Sequence, residues 1–289
     1  MGSYVTKKVN TGSFNSFYCE GGVGNDQTII FLHGSGPGAN SESNWSRVLD
    51  QLSEKYHVIA PDMVGFGNTD LPDDTNLTFW QWTTARVQQI LEIMDYNNIK
   101  TANLVGNSMG GVVTLNALLY DSGRFDKVVL MGSGGGARNN AGPTPEIVRM
   151  SNFFKDPTIQ AFRNLISWFM YDESVVEEQF ENIVKTRYEI IMKPEVRELY
   201  PKLFPTMPHE LTIPPSALRR IKQPTLLIHG YEDQFVPHES SLAVLEHIPN
   251  AELVLLKQCG HWVQIEKFDR FIQLVDQFIG QTEAVQLTK

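Results

Sequence analysis

The sequence predicts an α/β fold: a mostly parallel central sheet with helices on both faces and an inserted helical cap over the strand ends. Two observations predict it. Short apolar runs that do not alternate, Thr28–Leu32, Val58–Ala60, Asn103–Gly106, Val128–Met131, Thr225–Ile228 and Leu253–Leu256, suit strands buried on both faces. Stretches with helical spacing separate them, and strand–helix alternation in this order implies parallel pairing with crossover helices.

Taken in chain order, residues 3–9 and 14–20 form a hairpin around the turn Asn10-Thr11-Gly12. Residues 79–95 carry Trp82, Val87, Ile90, Leu91 and Met94 on one helical face, and 109–120 and 267–279 read similarly. The pattern breaks between residues 137 and 212. That interval is helical, aromatic-rich (Phe153, Phe154, Phe162, Trp168, Phe169, Tyr171) and punctuated by prolines, including Pro143, Pro157, Pro194 and Pro205. Strand character resumes near Pro224. The chain therefore divides into a core of residues 1–136 and 213–289 and a cap of residues 137–212, because a strand-free interval of this length is usually functional. In such sheets small molecules bind at the carboxyl ends of the strands.

Composition narrows the function. The 289 residues carry a formal charge of −9, which argues against a nucleic-acid partner. One local arginine can still bind a small carboxylate. Two cysteines, Cys19 and Cys259, give no disulfide framework, and a reducing, cytoplasmic compartment is expected. No apolar run reaches the roughly 20 residues that span a bilayer, so no membrane partner is expected. Gly2 with Thr6 fits a loose myristoylation pattern, although Thr6-Lys7-Lys8 reads onward as a strand. No His/Cys cluster has metal-ligand spacing, and neither metal nor cofactor is expected.

Gly106-Asn107-Ser108-Met109-Gly110 fits G-x-S-x-G between a strand and a helix. There the serine sits on a tight turn at a helix N-terminus, and small flanking residues relieve backbone clashes. Ser108 is the candidate nucleophile. Among seven histidines, His261 alone follows the last strand; His57 and His229 fall inside strands, where a buried hydrogen-bonded role is the default, and His33 orders its own loop. The acid should follow a strand between Ser108 and His261, which selects Asp233, with Glu232 as its local rival. His261 would take the Ser108 proton while Asp233 fixes its tautomer. The loop His33-Gly34-Ser35-Gly36-Pro37-Gly38 falls where an α/β hydrolase supplies one oxyanion donor, and the N–H groups of Ser35 and Met109 are assigned that role.

These segments resemble one family of the α/β-hydrolase fold, the meta-cleavage product hydrolases. The likeness rests on His33–Ala39 with Asn44-Trp45, Ala60–Gly67, Gly106–Gly111, Glu232–Pro237 and Cys259–Trp262, and extends from about residue 14 to residue 280. Ser35 departs from the glycine common at its position, which matters little if only its N–H is used. The resemblance implies cleavage of a 2-hydroxy-6-oxohexa-2,4-dienoate without cofactor or metal, with Arg187 holding the carboxylate. Asn44, Asn107 and Trp262 match positions that hold the carboxylate and dienol oxygen. Gly34, Gly36 and Phe235, in the same motifs, complete the expected substrate-binding set. Family members are often oligomeric, so a homodimer or higher homo-oligomer is expected. The segment Ala60–Gly67 leans towards alkylbenzene-pathway members. A carboxylesterase or lactonase with the same triad, or a small-molecule receptor on this scaffold, are the alternatives. Ser108 disfavours the dehalogenases and epoxide hydrolases that use Asp.

Overall fold

In the computed structural model, residues 3–136, 145–204 and 208–281 are described. The myristoylation candidate Gly2, the cap boundary at 137, Pro143 and Pro205 lie outside them. The strands are β1 (Tyr4–Asn10), β2 (Asn15–Gly21), β3 (Thr28–Leu32), β4 (His57–Pro61), β5 (Ala102–Asn107), β6 (Phe125–Met131), β7 (Thr225–Gly230) and β8 (Ala251–Leu256). They form one sheet in the order β1-β2-β4-β3-β5-β6-β7-β8. The β1–β2 and β2–β4 pairs are antiparallel and every later pair is parallel. The opening hairpin and the parallel sheet are thus as the sequence predicts.

Inner strands are buried on both faces, and residues alternate between two cores. Ile29, Phe31, Val105, Val129 and Ile228 pack with α1 (Ser41–Leu52) residues Trp45, Val48 and Leu49. Ile30, Leu32, Leu104, Val128 and Leu130 face the opposite way, towards α2 (Phe79–Tyr96) and α3 (Met109–Tyr120). Each such side chain contributes about 1.5–3 kcal/mol on burial, and a one-residue slip would misplace all of them, so register is well specified. The last strand differs from its reading as a two-face-buried run. β8 is a sheet edge, none of its residues is fully buried, and Glu252 and Leu255 are exposed. Edge strands lack a second neighbour, so apolarity alone does not bury them.

Between β6 and β7 the described chain is helical: α4 (Pro145–Asn152), α5 (Ile159–Ser167), α6 (Glu177–Ile191), α7 (Pro194–Leu199), a 3₁₀ turn Tyr200–Leu203 and α8 (Pro215–Leu218). On α6 the buried positions Phe180, Ile183, Val184, Arg187 and Ile191 form one helical stripe. Arg187 therefore stands on the apolar face of the segment. The remaining described helices are α9 (Glu239–His247), before β8, and α10 (Val263–Glu266) and α11 (Phe268–Gly280) after it, the last packed on the α1 face of the sheet. Among the described residues no helix is long and apolar enough to cross a membrane.

Candidate active site

The turn from β5 to α3 carries Ser108 at φ 56° and ψ −117°, a left-handed conformation that non-glycine residues rarely adopt. Packing enforces it. A Cβ on Gly106 would lie 2.5 Å from Thr114 Oγ1, and one on Gly110 would lie 2.3 Å from the Leu32 carbonyl oxygen. Only hydrogen fits at either place, so strand and helix approach closely and the residue between them is pushed out. Ser108 occupies the N-cap of α3, yet its side chain caps nothing. An ordinary N-cap serine would bond to the first turn; here the hydroxyl is free for the cleft.

Asp233 follows β7 and His261 follows β8. Their side chains are buried, and His261 Nδ1 lies 2.6 Å from Asp233 Oδ2. Asp233 Oδ1 accepts the N–H groups of Phe235 at 2.8 Å and Val236 at 2.9 Å. Burial alone would raise this carboxyl. The charge of His261 and hydrogen bonds from His229 and His261 outweigh it and hold Asp233 well below the usual carboxylate range. The rival Glu232 instead accepts the Cys259 N–H at 3.1 Å. Gly132, at the end of β6, lies against both members of the pair. A Cβ there would be 3.1 Å from His261 Nδ1 and 3.2 Å from Asp233 Oδ2. The Ser108 N–H bonds to Met131, the residue before it, at 3.0 Å. The three candidate triad residues thus converge on the ends of β5, β6 and β7, with His261 Nε2 the ring nitrogen left for Ser108. Among the described residues the Ser108 hydroxyl makes no hydrogen bond; in ligand-free hydrolases this contact commonly tightens only with substrate.

The loop after β3 completes the site. A Cβ on Gly34 would touch Ser108 Cβ at 3.1 Å and Asn107 Oδ1 at 3.0 Å. One on Gly36 would meet Arg187 Nη1 and Phe169, each at 3.2 Å. Neither the Ser35 nor the Met109 N–H donates to another backbone carbonyl among the described residues. Met109 opens α3, whose first N–H groups have no intrahelical acceptor. His33 fixes the loop, donating from Nδ1 to the Gly34 carbonyl at 2.7 Å and accepting the Met63 N–H on Nε2 at 3.0 Å. Burial, with Arg187 and Arg86 nearby, pushes His33 down to about 3, which keeps that neutral tautomer.

Of the expected substrate-binding residues, the structure gathers most. The Arg187 guanidinium lies 4.6 Å from the centroid of Trp262, and its Nε and Nη2 have no hydrogen-bond partner among the described residues. Burial pulls its pKa down to about 9, leaving a cation at neutral pH. Asn107 Nδ2 bonds to the Met131 carbonyl while Oδ1 has no partner. Phe235 is buried and stacks on Phe169 at 3.8 Å, 5.7 Å from the His261 ring. Asn44 is buried in the first turn of α1, where its Nδ2 donates to the Asn40 carbonyl at 2.8 Å. That half of its amide is therefore engaged within the helix, although α1 packs against α6, which carries Arg187.

Sequence reasoning missed four contributors. The Phe169 carbonyl accepts the N–H groups of His261 at 2.8 Å and Trp262 at 3.2 Å. Glu266 accepts Gly260 N–H at 2.6 Å, Tyr171 N–H at 2.8 Å and Asp172 N–H at 3.1 Å, tying the His261 loop to the helical segment. Tyr200 donates to the Ser35 carbonyl at 2.9 Å. His229 touches Asp233. Most of these contacts join residues distant in sequence and leave no local pattern.

Comparison with known proteins places this geometry. Residues 29–274 match the Alpha/beta hydrolase family model. A 2-hydroxymuconate semialdehyde hydrolase of Pseudomonas sp. is 33% identical over 264 residues, covering 90% of this chain and 89% of that protein. A 2-hydroxy-6-oxo-2,4-heptadienoate hydrolase of Pseudomonas putida is 32% identical over 263 residues, covering 89% and 91%. The solved 2-hydroxy-6-oxo-6-phenylhexa-2,4-dienoate hydrolase of Rhodococcus sp. superimposes with a TM-score of 0.92 at 36% identity, covering 97% of this chain and all of that one. With its family model matched over most of its length and relatives at this identity aligned nearly end to end, the chain belongs to the α/β-hydrolase family and, within it, to the meta-cleavage product hydrolases.

Proposed function

We propose that this enzyme hydrolyses the C5–C6 bond of a 2-hydroxy-6-oxohexa-2,4-dienoate, releasing 2-hydroxypenta-2,4-dienoate and a carboxylic acid. The observation that carries this reading is Arg187. It is a buried cation with partnerless Nε and Nη2 beside Gly36 and Trp262, within the site that holds Ser108. An ester hydrolase has no use for it. A dienoate carboxylate supplies the missing acceptor, and the partnerless Asn107 Oδ1 suits the dienol hydroxyl as donor.

The dienol first ketonises, His261 carrying the proton to C5, so that C5 can depart as a stabilised carbanion. His261 then takes the Ser108 proton, and Ser108 adds to the C6 ketone. The Ser35 and Met109 N–H groups receive the oxyanion. The C5–C6 bond breaks, its electron pair runs through C4 and C3 onto the C2 oxygen, which takes the proton from His261 to give the dienol, and water, activated by the same imidazole, releases the acid from Ser108. Residues 137–212 act as the cap that excludes water. The relatives' names span hydrogen, methyl and phenyl at C6; an alkyl substituent is our expectation. A cytoplasmic homo-oligomer belongs to the same reading and rests on the family resemblance and cysteine usage.

The test is a panel of coloured ring-fission products differing at C6, with p-nitrophenyl acetate alongside. Loss of visible absorbance at a turnover near the typical median of about 10 s⁻¹ on at least one dienoate is expected. Faster cleavage of the ester than of every dienoate would overturn the substrate, and undiminished turnover by Ser108→Ala would overturn the nucleophile.

A further inference from the structure

We propose that His229 is a positioning residue for this reaction: a second imidazole on the Asp233 carboxylate that sets how strongly Asp233 draws on His261, with Ser241 fixing its tautomer. The proposal rests on reading Ser108, Asp233 and His261 as the triad. His229 lies in β7, four residues before Asp233, and is wholly buried. Its Nε2 is 2.8 Å from the Val236 carbonyl oxygen and 3.2 Å from Asp233 Oδ2. Its Nδ1 is 2.7 Å from the Ser241 hydroxyl, itself buried on α9. A carbonyl oxygen only accepts, so Nε2 carries the hydrogen, shared between Val236 and Asp233. Ser241 can then donate to Nδ1, and the serine selects the tautomer that faces the carboxylate.

Asp233 is left with four donors: Phe235 and Val236 N–H on Oδ1, and His261 and His229 on Oδ2. The two imidazoles compete for one oxygen. Hydrogen bonds to a carboxylate stabilise its charge and weaken it as an acceptor for any other donor. Removing the His229 donor makes Oδ2 a stronger acceptor for His261, favours the imidazolium, and raises the pH below which His261 can no longer serve as base. A core histidine that merely closed the 230–237 loop would affect stability and leave that limb where it is.

The other ionisable groups around the pair are Glu232 on the Cys259 N–H, Glu266 on the Gly260 N–H, the Cys259 thiol, Lys267, and Arg187 over Trp262. All are unchanged in the variants, so a shift reads His229 alone. The experiment is the pH profile of kcat/KM for a ring-fission product, measured on the full-length enzyme with circular dichroism as the check on folding. In His229→Leu the acid limb should move up by about half a unit to one unit, the share of one donor among several on a carboxylate. His229→Gln, whose amide offers an N–H at similar reach, should return the limb towards the wild-type position. Ser241→Ala should move it in the same direction by less, and it stands as the deciding variant if His229→Leu does not fold. An unmoved limb in folded His229→Leu, or in Ser241→Ala where the leucine variant fails, overturns the proposal. Activity retained in Ser108→Ala would instead sink the triad reading beneath it.

Discussion

Two buried charges of the site are treated in opposite ways. The Asp233 carboxylate is inaccessible and accepts from four donors. The Arg187 guanidinium is equally buried, yet Nε and Nη2 have no partner among the described residues. The second fully buried arginine, Arg86, is better served. Its Nε donates to the Val64 carbonyl at 3.1 Å, Nη1 lies 3.3 Å from Met109 Sδ, and only Nη2 is unpartnered. Burying a charge without a counter-charge costs several kcal/mol. At Asp233 the folded chain offsets that cost itself, so the Asp233–His261 pair is formed without substrate. On the proposed reading, the offset at Arg187 is left to an incoming anion. The proposed catalytic end would then be preorganised and the proposed recognition end completed by substrate.

Breaking the preorganised end should cause the largest losses. Ser108→Ala should lower kcat by about 10⁶ and Asp233→Asn by about 10⁴, the magnitudes known for serine-protease triads. Single-turnover assays on a ring-fission product check both. Asp233 also gives a pH signature. Its folded pKa is depressed, so its contribution to stability is present above the unfolded value of about 3.9 and is lost as pH falls below it. Acid unfolding of Asp233→Asn, followed by fluorescence, should therefore be flatter below about pH 4 than that of the wild type.

The recognition end should respond with opposite signs in activity and stability. Arg187→Met should reduce kcat/KM on a dienoate by about 10²–10³, the usual loss when one partner of a buried charged contact is removed. Cleavage of p-nitrophenyl acetate should change less than about threefold, since the ester brings no carboxylate. Removing an unpaired buried cation should also stabilise the fold by about 1–3 kcal/mol, visible as a raised Tm. A lowered Tm would mean that Arg187 serves the fold rather than the substrate.

The candidate proton relay could be proposed from the sequence because each member sits on a turn or loop that follows a strand. Ser108 is framed by glycines that steric contact makes obligatory, and the order Ser108, Asp233, His261 follows the strand order. The buried strands were legible because apolar runs of that length have few other uses. The recognition end was legible only through family resemblance. Arg187 sits in a helix whose polar residues otherwise face outward, and Asn44 turned out to have its Nδ2 engaged with Asn40. His229 was legible as buried but not as a partner of Asp233. That contact depends on the 230–237 loop folding back over β7, which no periodicity encodes. The exposure of β8 was hidden for a related reason, since edge position is set by sheet order and not by the strand's own residues.

The smallest expected effect tests whether the two ends are mechanically joined. Glu266 holds Gly260, one residue from His261, and Tyr171 and Asp172, which follow the Phe169 carbonyl on the helical segment. Glutamine at this position keeps one acceptor oxygen and turns an NH₂ towards N–H donors, so at least one of the three contacts is lost. A typical intramolecular hydrogen bond is worth about 0.5–1.5 kcal/mol, which at this chain length lowers Tm by a few degrees. Because the loosened loop carries His261 and not Arg187, Glu266→Gln should slow dienoate and ester cleavage by the same factor, below about tenfold. Burial raises the Glu266 pKa, so its contribution to stability is full below the unfolded value of about 4.3 and declines as pH rises through the folded value. The glutamine variant lacks that decline. Thermal melts taken from pH 4 to 8 should therefore show the two proteins converging as pH rises, and a gap that widens instead would place the stabilising contact in the ionised carboxylate.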